Sequence, residues 1–192
     1  MAVMIYRYAT EADVPTLAEL FAANRDDALS EQQRREEGFV QGNFDAAALA
    51  ALAGERGLLV AESDGRIAGF LGLSAPVDRA TATPPPVRAL LQAQDTFRWD
   101  GRPLSAVRWL LYGPVVVDAA FRGQGVARGL FDAALEAAAG RAEALVAFIE
   151  VVNRHSLRVH VDSFGMHPLG NVVVGERIYT IVAAGVPALD AA

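Results

Sequence analysis

The chain has 192 residues, no cysteine, 53% hydrophobic and 21% charged residues, and a formal net charge of −6. That length suits one domain with a substantial core, and the missing thiols exclude a disulfide framework, a thiolate metal site and a covalent cysteinyl intermediate. The acidic balance argues against phosphate-driven nucleic-acid binding, no apolar run is long enough for a membrane span, and the N-terminus lacks a basic-then-apolar leader. The expectation is therefore a single cytoplasmic domain over residues 1–192.

Met4–Tyr8 reads as a first strand. Thr10 then caps a helix over Glu11–Ala23, with Glu11 and Asp13 in its first turn and Val14, Leu17, Ala18 and Phe21 at helical spacing. Asn24–Glu37 is charged and helix-compatible, Gly38–Phe44 is a glycine-punctuated loop, and Asp45–Ala53 predicts an Ala/Leu-rich helix ending near Gly54. Gly57–Ser63 and Arg66–Leu73, joined by Asp64-Gly65, carry the strongest short-range signal for a β-hairpin.

The stretch from Pro76 to Leu110 predicts a helix from Pro84-Pro85-Pro86 through Gln94 and an extra hairpin around Asp100-Gly101. Arg98, Trp99, Arg102 and Trp109 in that stretch suit a binding pocket, an oligomer contact or ordinary hairpin packing, because amphipathic aromatics serve all three. Leu111–Val117 is a Val-rich strand, interrupted at Gly113-Pro114, where a proline that cannot donate to a ladder marks an edge or a bulge. After the second apolar strand, Ala144–Val152, a helix is expected over Arg154–Phe164. Asn171–Val174 and Arg177–Val182 form a closing hairpin, and Ala183–Ala192 reads as a loose end.

Chemistry concentrates between the two apolar strands. Arg122-Gly123-Gln124-Gly125-Val126-Ala127 follows the first strand and precedes an apolar-periodic helix beginning near Gly129. A strand, a glycine turn and a helix N-terminus together present backbone N–H groups to an anion. Gly123 and Gly125 permit close approach to the backbone, and Arg122 adds a planar donor fork. Other phosphate loops fit worse, since there is no Gly-Lys-Ser/Thr for a P-loop and no Gly-x-Gly-x-x-Gly for a dinucleotide fold. On the hexapeptide alone, a plain strand-to-helix turn uses glycine as well.

About 30 residues after this loop, the second strand ends at Asn153, with Ser156 three residues on, His160 seven on, and Phe164-Gly165-Met166 closing the helix. In order and separation the two motifs resemble the Gcn5-related N-acetyltransferase (GNAT) family, and Gly69-Phe70-Leu71-Gly72 is similar to its third strand. The resemblance implies an α/β GNAT fold, a mixed central β-sheet flanked by helices, here with an enlarged connection between the third and fourth strands of the family sheet. It further implies an acyltransferase that passes an acetyl group from acetyl-CoA to a primary amine of a small molecule or peptide by direct attack. No metal is implied, and the three histidines show no metal-ligand spacing. The region between the first helix and the hairpin forms one wall of the acceptor cleft in the family. Family members often dimerise, which leaves a homodimer open here.

The family's cofactor contacts carry over to particular residues. Backbone groups of Val115, Val116 and Val117 correspond to those that pair with pantetheine, where one N–H polarises the thioester carbonyl. Arg122, Gly123, Gln124, Gly125, Val126 and Ala127 correspond to the pyrophosphate loop. Asn153 and Ser156 correspond to residues that bond the pantetheine and nearby backbone, and Arg128 is either a further phosphate contact or a solvated helix residue.

His160 stands where many relatives have a Tyr that protonates the leaving thiolate. An imidazolium can do the same, and a structural histidine is the rival reading. Neither His155 nor His167 has a comparable positional argument. Glu150 is either a general base, directly or through water, or half of an ion pair with an Arg, since a carboxylate in so apolar a strand needs a partner or a task. Two other functions stay open on sequence grounds: a transferase of longer acyl groups, and an acyl-CoA-binding sensor with little catalysis.

Overall fold

Asp64 and Gly65 take φ values of 50° and 73°, the left-handed pair that a two-residue hairpin turn requires, and so join Leu58–Ser63 (β2) to Arg66–Ser74 (β3). The computed structural model describes residues 3–77 and 83–188. Of these, the residues within Met1–Arg34, Phe39–Ser74 and Tyr112–Ala137 form one compact unit, and those within Arg35–Gly38, Ala75–Leu111 and Ala138–Ala192 form a second.

In the first unit, β1 (Ile5–Tyr8) lies antiparallel to β2, with Tyr6 opposite Ala61 and Arg7 opposite Val60. The expected first helix starts as a 3-10 turn, Glu11–Asp13, and becomes α1 over Val14–Ala23. Asp13 explains the start: its carboxylate accepts the Thr10 N–H at 2.7 Å and the Thr10 hydroxyl at 2.9 Å. The Arg7 guanidinium beside it holds its carboxyl well below the usual carboxylate range. The charged segment forms a helix only over Glu31–Glu37 (α2). α3 covers Ala46–Gly54, and the Asp45 side chain caps it by accepting the Ala48 N–H at 2.9 Å. Val14, Leu17 and Phe21 of α1, Leu49 of α3, Leu58 and Val60 of β2, and Phe70 of β3 make the core.

Two further elements need naming before that core is complete. One is the strand Trp109–Val117, and the other is the helix Val126–Ala138. The strand adds Val116 to the core just described. The helix covers the other face of the unit's sheet. A Cβ built on Gly69, next to the core residue Phe70, would lie 3.3 Å from Val126 Cγ1, and Tyr6 packs directly over Gly129.

The strand itself changes parity. Tyr112 turns toward that helix, its ring 5.9 Å from Phe131, while Val116 faces the opposite core. Residues four apart on an unbroken strand share a face, so an irregularity lies between them. It falls at Gly113, with φ 119°, and Pro114, as the sequence predicts.

In the second unit, Trp109–Leu111 pair in parallel with Ala144–Val146 of the strand Ala144–Glu150. The stretch that the sequence marks as enlarged forms the helix Pro85–Ala93 (α4) and the small hairpin β4 (Arg98–Trp99) and β5 (Arg102–Pro103), turning at Asp100-Gly101; residues 78–82 of it lie outside the described residues. In chain order the strand Trp109–Val117 is then β6, the helix Val126–Ala138 is α5, and Ala144–Glu150 is β7. β8 (His167–Val174) and β9 (Arg177–Gly185) follow. Leu90, Phe97, Leu104 and Val107 of the enlarged connection are buried with Val146, Val172, Tyr179 and Ile181. Trp99 lies beside His167 with ring centroids 6.1 Å apart, and Arg102 pairs with Glu143 at 2.7 Å. Hairpin packing is the reading these contacts support.

The hydrogen-bonded strand order is β1-β2-β3-β6-β7-β9-β8, a mixed seven-stranded sheet flanked by helices. Two expectations need correction. The helix expected over Arg154–Phe164 is α-helical only over Arg154–Arg158 (α6) and then makes a π-helical turn, Val159–Ser163, with the Phe164 N–H donating to the Val159 carbonyl five residues back. The tail expected to be loose from Ala183 instead prolongs β9. Ala183, Ala184 and Gly185 stand opposite Val146, Leu145 and Ala144 of β7, and both alanines are buried; residues 189–192 lie outside the described residues.

Gly129 offers a test of the α5 packing. A Cβ there would meet the end of the Tyr6 ring. The ring end is partly exposed and can swing aside, and alanine is the better helix former. Gly129→Ala should therefore change stability by no more than about 1 kcal/mol in urea unfolding. The double variant Tyr6→Ala/Gly129→Ala should be more stable than the sum of the single changes allows, because the cost of moving the ring disappears with it.

Candidate functional site

In the first unit, β6 leads into the glycine loop through a compact turn. Asp118 donates its N–H to the Ala68 carbonyl at 2.9 Å, and its side chain accepts the Ala120 N–H at 2.8 Å, fixing a 3-10 turn over Ala119–Phe121. Arg122 follows, partly buried, and its Nη2 donates to Asn24 Oδ1 at 2.7 Å. Gln124 folds back to donate its side-chain N–H to the Ala120 carbonyl at 3.0 Å.

Gly123 and Gly125 take φ values of 72° and 80°, are exposed, and have nothing within 4 Å of where a Cβ would stand. A side chain would be strained there and would fill the space in front of the loop. The first i→i−4 bond of α5 runs from the Gly129 N–H to the Gly125 carbonyl at 3.0 Å. The N–H groups of Val126, Ala127 and Arg128 thus belong to the first turn, where a helix offers donors without intrahelical acceptors. Val126 is buried and anchors this turn against the sheet, whereas Arg128 points outward and pairs with Asp132 at 3.0 Å. Of Val115, Val116 and Val117, the middle one is buried in the α1 and α3 core and the outer two are partly exposed.

In the second unit, the end of β7 and the start of α6 link three of the sequence-derived candidates. Asn153 is buried, caps α6, and accepts the Ser156 N–H on Oδ1 at 3.3 Å. The Ser156 carbonyl lies 2.8 Å from His160 Nδ1, which fixes the proton of a neutral imidazole on Nδ1 and makes Nε2 the basic nitrogen. The ring is 8% exposed and meets Phe164 edge-on at 5.3 Å. Burial pushes the imidazole below the usual histidine value. The bond to the Ser156 carbonyl opposes that shift, and His155 adds to it. His160 also sits in the π-helical turn, a local geometry common at functional sites.

The Glu150 side chain meets an arginine. It is 10% exposed and approaches Arg177 Nη1 at 3.5 Å, on the same strand pair that places Glu150 opposite Tyr179. Its main chain joins the Asn153 turn, where its carbonyl accepts the Asn153 N–H at 2.8 Å.

Two residues escape the sequence reading. Asn24 holds Arg122 from 98 positions away, a contact with no local signal. Gly38 follows α2 at φ 75°, and a Cβ there would stand 3.1 Å from Asn153 Oδ1. A glycine just past an acidic helix is the usual left-handed C-terminal stop, so its conformation was legible, but its proximity to Asn153 was not.

The acetyltransferase (GNAT) family model matches residues 17–166. Among solved structures, a GNAT acetyltransferase from Streptococcus agalactiae superposes with a TM-score of 0.65 at 15% identity, with 95% of each chain covered. A putative acetyltransferase from Salmonella typhimurium, solved with its cofactor acetyl-CoA, gives a TM-score of 0.61 at 19% identity over 99% of this chain and 98% of that one. The ribosomal-protein-alanine N-acetyltransferase of Brucella melitensis gives 0.60 at 20% identity over 94% and 99%. At such identities the likeness establishes the fold. No curated protein matches the sequence significantly.

Burial of His160 has a measurable consequence for stability. Its folded-state pKa lies below the unfolded value. The stabilising contribution is therefore complete above about pH 6.5 and is lost as pH falls from there through the folded value. Urea unfolding of the wild type between about pH 7.5 and pH 5 should show this loss, and His160→Phe should show less of it.

Proposed function

Because the chain belongs to the acetyltransferase (GNAT) family, we propose that it moves the acetyl group of acetyl-CoA to a primary amine of a small molecule or peptide. The enzyme class, acyltransferase, follows from the family; the donor and acceptor are our reading. A relative of the same fold was solved with acetyl-CoA, which supports that donor. The observation that carries the proposal is the exposed Gly123–Gly125 turn at the N-terminus of α5, left-handed at both glycines and open in front of them.

Acetyl-CoA supplies an activated thioester when bound. Everything else falls to the chain. Arg122 and the N–H groups of Gly123 through Ala127 would hold the diphosphate, while backbone groups of Val115, Val116 and Val117 would align the pantetheine and polarise the carbonyl. Asn153 and Ser156 would complete the pantetheine contacts and fix the imidazole of His160. We assign His160 the transfer of a proton to the departing sulfur. That role needs the imidazolium, which burial disfavours, so the donor form must grow as pH falls.

Glu150 is the proposed base for the amine proton. The approach of Arg177 supports a second role, an ion pair that steadies the end of β7. Glu150→Gln separates the two. Removing a base lowers turnover and takes one ionisation out of the pH profile, whereas removing an ion-pair partner lowers stability and leaves the profile unchanged.

The test is thiol release from acetyl-CoA across a panel of amines. The proposal expects release with one amine class. It further expects the ratio of wild-type to His160→Phe turnover to rise as pH is lowered from about 8 to about 6. A ratio that is flat with pH contradicts the assignment of His160. Acetyl-CoA bound but released on no amine would favour the sensor reading over the enzyme.

A further inference from the structure

Arg122 is the one charged side chain of the glycine loop, and its position is set by a residue outside the loop. Asn24 lies at the C-terminal end of α1, in the bridge region of the backbone (φ −108°, ψ 7°). Three bonds fix it there. Its Nδ2 donates to the Leu20 carbonyl at 2.8 Å, its N–H donates to the Phe21 carbonyl at 3.1 Å, and its own carbonyl accepts the Val40 N–H at 3.0 Å. The last of these belongs to a short parallel bridge with the 39–41 segment, since Val40 in turn accepts the Asp26 N–H at 3.0 Å.

With Nδ2 committed to Leu20, the amide orientation is decided and Oδ1 is presented to Arg122, whose Nη2 donates to it at 2.7 Å. The guanidinium thereby also stands at the negative end of α1, a favourable place for a cation. A guanidinium carries five N–H donors, and the bond to a neutral amide oxygen uses one of them without placing a negative charge beside it.

We propose that Asn24 is a positioning residue for the diphosphate end of the acyl-CoA, acting by holding the Arg122 guanidinium in its binding orientation. The proposal rests on the reading of Arg122–Ala127 as the diphosphate loop. An arginine side chain free to rotate loses rotamer entropy on gripping a ligand, and a tether formed before binding removes part of that cost. A neutral amide suits the task better than a carboxylate, which would cancel the charge that attracts the diphosphate.

The experiment compares acetyl-CoA with acetyl-pantetheine, the same thioester without the diphosphate and nucleotide, by calorimetry on the wild type, Asn24→Ala, Arg122→Met and the double variant. The wild type should favour acetyl-CoA by at least about tenfold, and Asn24→Ala should weaken acetyl-CoA by about tenfold while leaving acetyl-pantetheine unchanged. In the Arg122→Met background, Asn24→Ala should have no further effect, because the group it orients is gone. If Asn24→Ala fails to fold, Asn24→Ser, which keeps an acceptor oxygen, replaces it with the same expectation at smaller size.

An unchanged preference for acetyl-CoA in Asn24→Ala overturns the positioning role while leaving the loop reading intact, as does an equal loss for both ligands. A wild type that binds the two ligands equally overturns the loop reading itself.

Discussion

One interruption in one strand organises this protein. β6 begins as a strand of the second unit, with Trp109 and Leu111 buried or partly buried among the residues of its core, and continues as a strand of the first. Between Tyr112, against Phe131 of α5, and Val116, in the α1 and α3 core, its side-chain parity reverses at Gly113-Pro114. A glycine accepts the positive φ, and a proline withdraws a donor from the ladder. A regular strand would send Tyr112 and Val116 to the same side, and one of the two cores would lose its anchor. The same interruption precedes Val115–Val117, whose backbone groups the functional reading assigns to pantetheine.

Beyond the strand, the glycine loop depends on restraints that leave its centre open. The Asp118 cap, the Gln124 side chain and buried Val126 pin the two ends. Gly123 and Gly125 stay exposed, with empty space where side chains would stand. Rigid edges around an unfilled centre suit a loop that must receive a ligand without rearranging, because little ordering is left to occur on binding. In the second unit, the turn from β7 into α6 follows a similar logic. Buried Asn153 caps the helix, and the Ser156 carbonyl sets the tautomer of His160.

The local parts of this arrangement were legible in the sequence. The Asp64-Gly65 and Asp100-Gly101 turns adopt the left-handed pairs that such dipeptides favour, Asp45 caps α3, and the bulge falls at Gly113-Pro114. What could not be read is of two kinds. The π-helical turn at Val159–Ser163 leaves no trace in a hydrophobic pattern, since five residues differ too little from the α-helical period to show a break. The extension of β9 through Ala183–Gly185 depends on pairing with Ala144–Val146, and small residues carry no strand signal of their own. The Arg122–Asn24 and Glu150–Arg177 contacts are likewise tertiary. The sequence could nominate one partner in each case but could not supply the other.

The proposed function stands or falls with the Gly123–Gly125 turn as the receiver of the acetyl-CoA diphosphate. The most direct measurement is a calorimetric titration of the wild type and of Gly125→Glu with acetyl-CoA. The variant would place a carboxylate and a strained side chain in the open space in front of the loop. Saturable, one-to-one binding is expected of the wild type and none of a variant that still unfolds cooperatively. Equal binding by both proteins would rule out the turn as the diphosphate site.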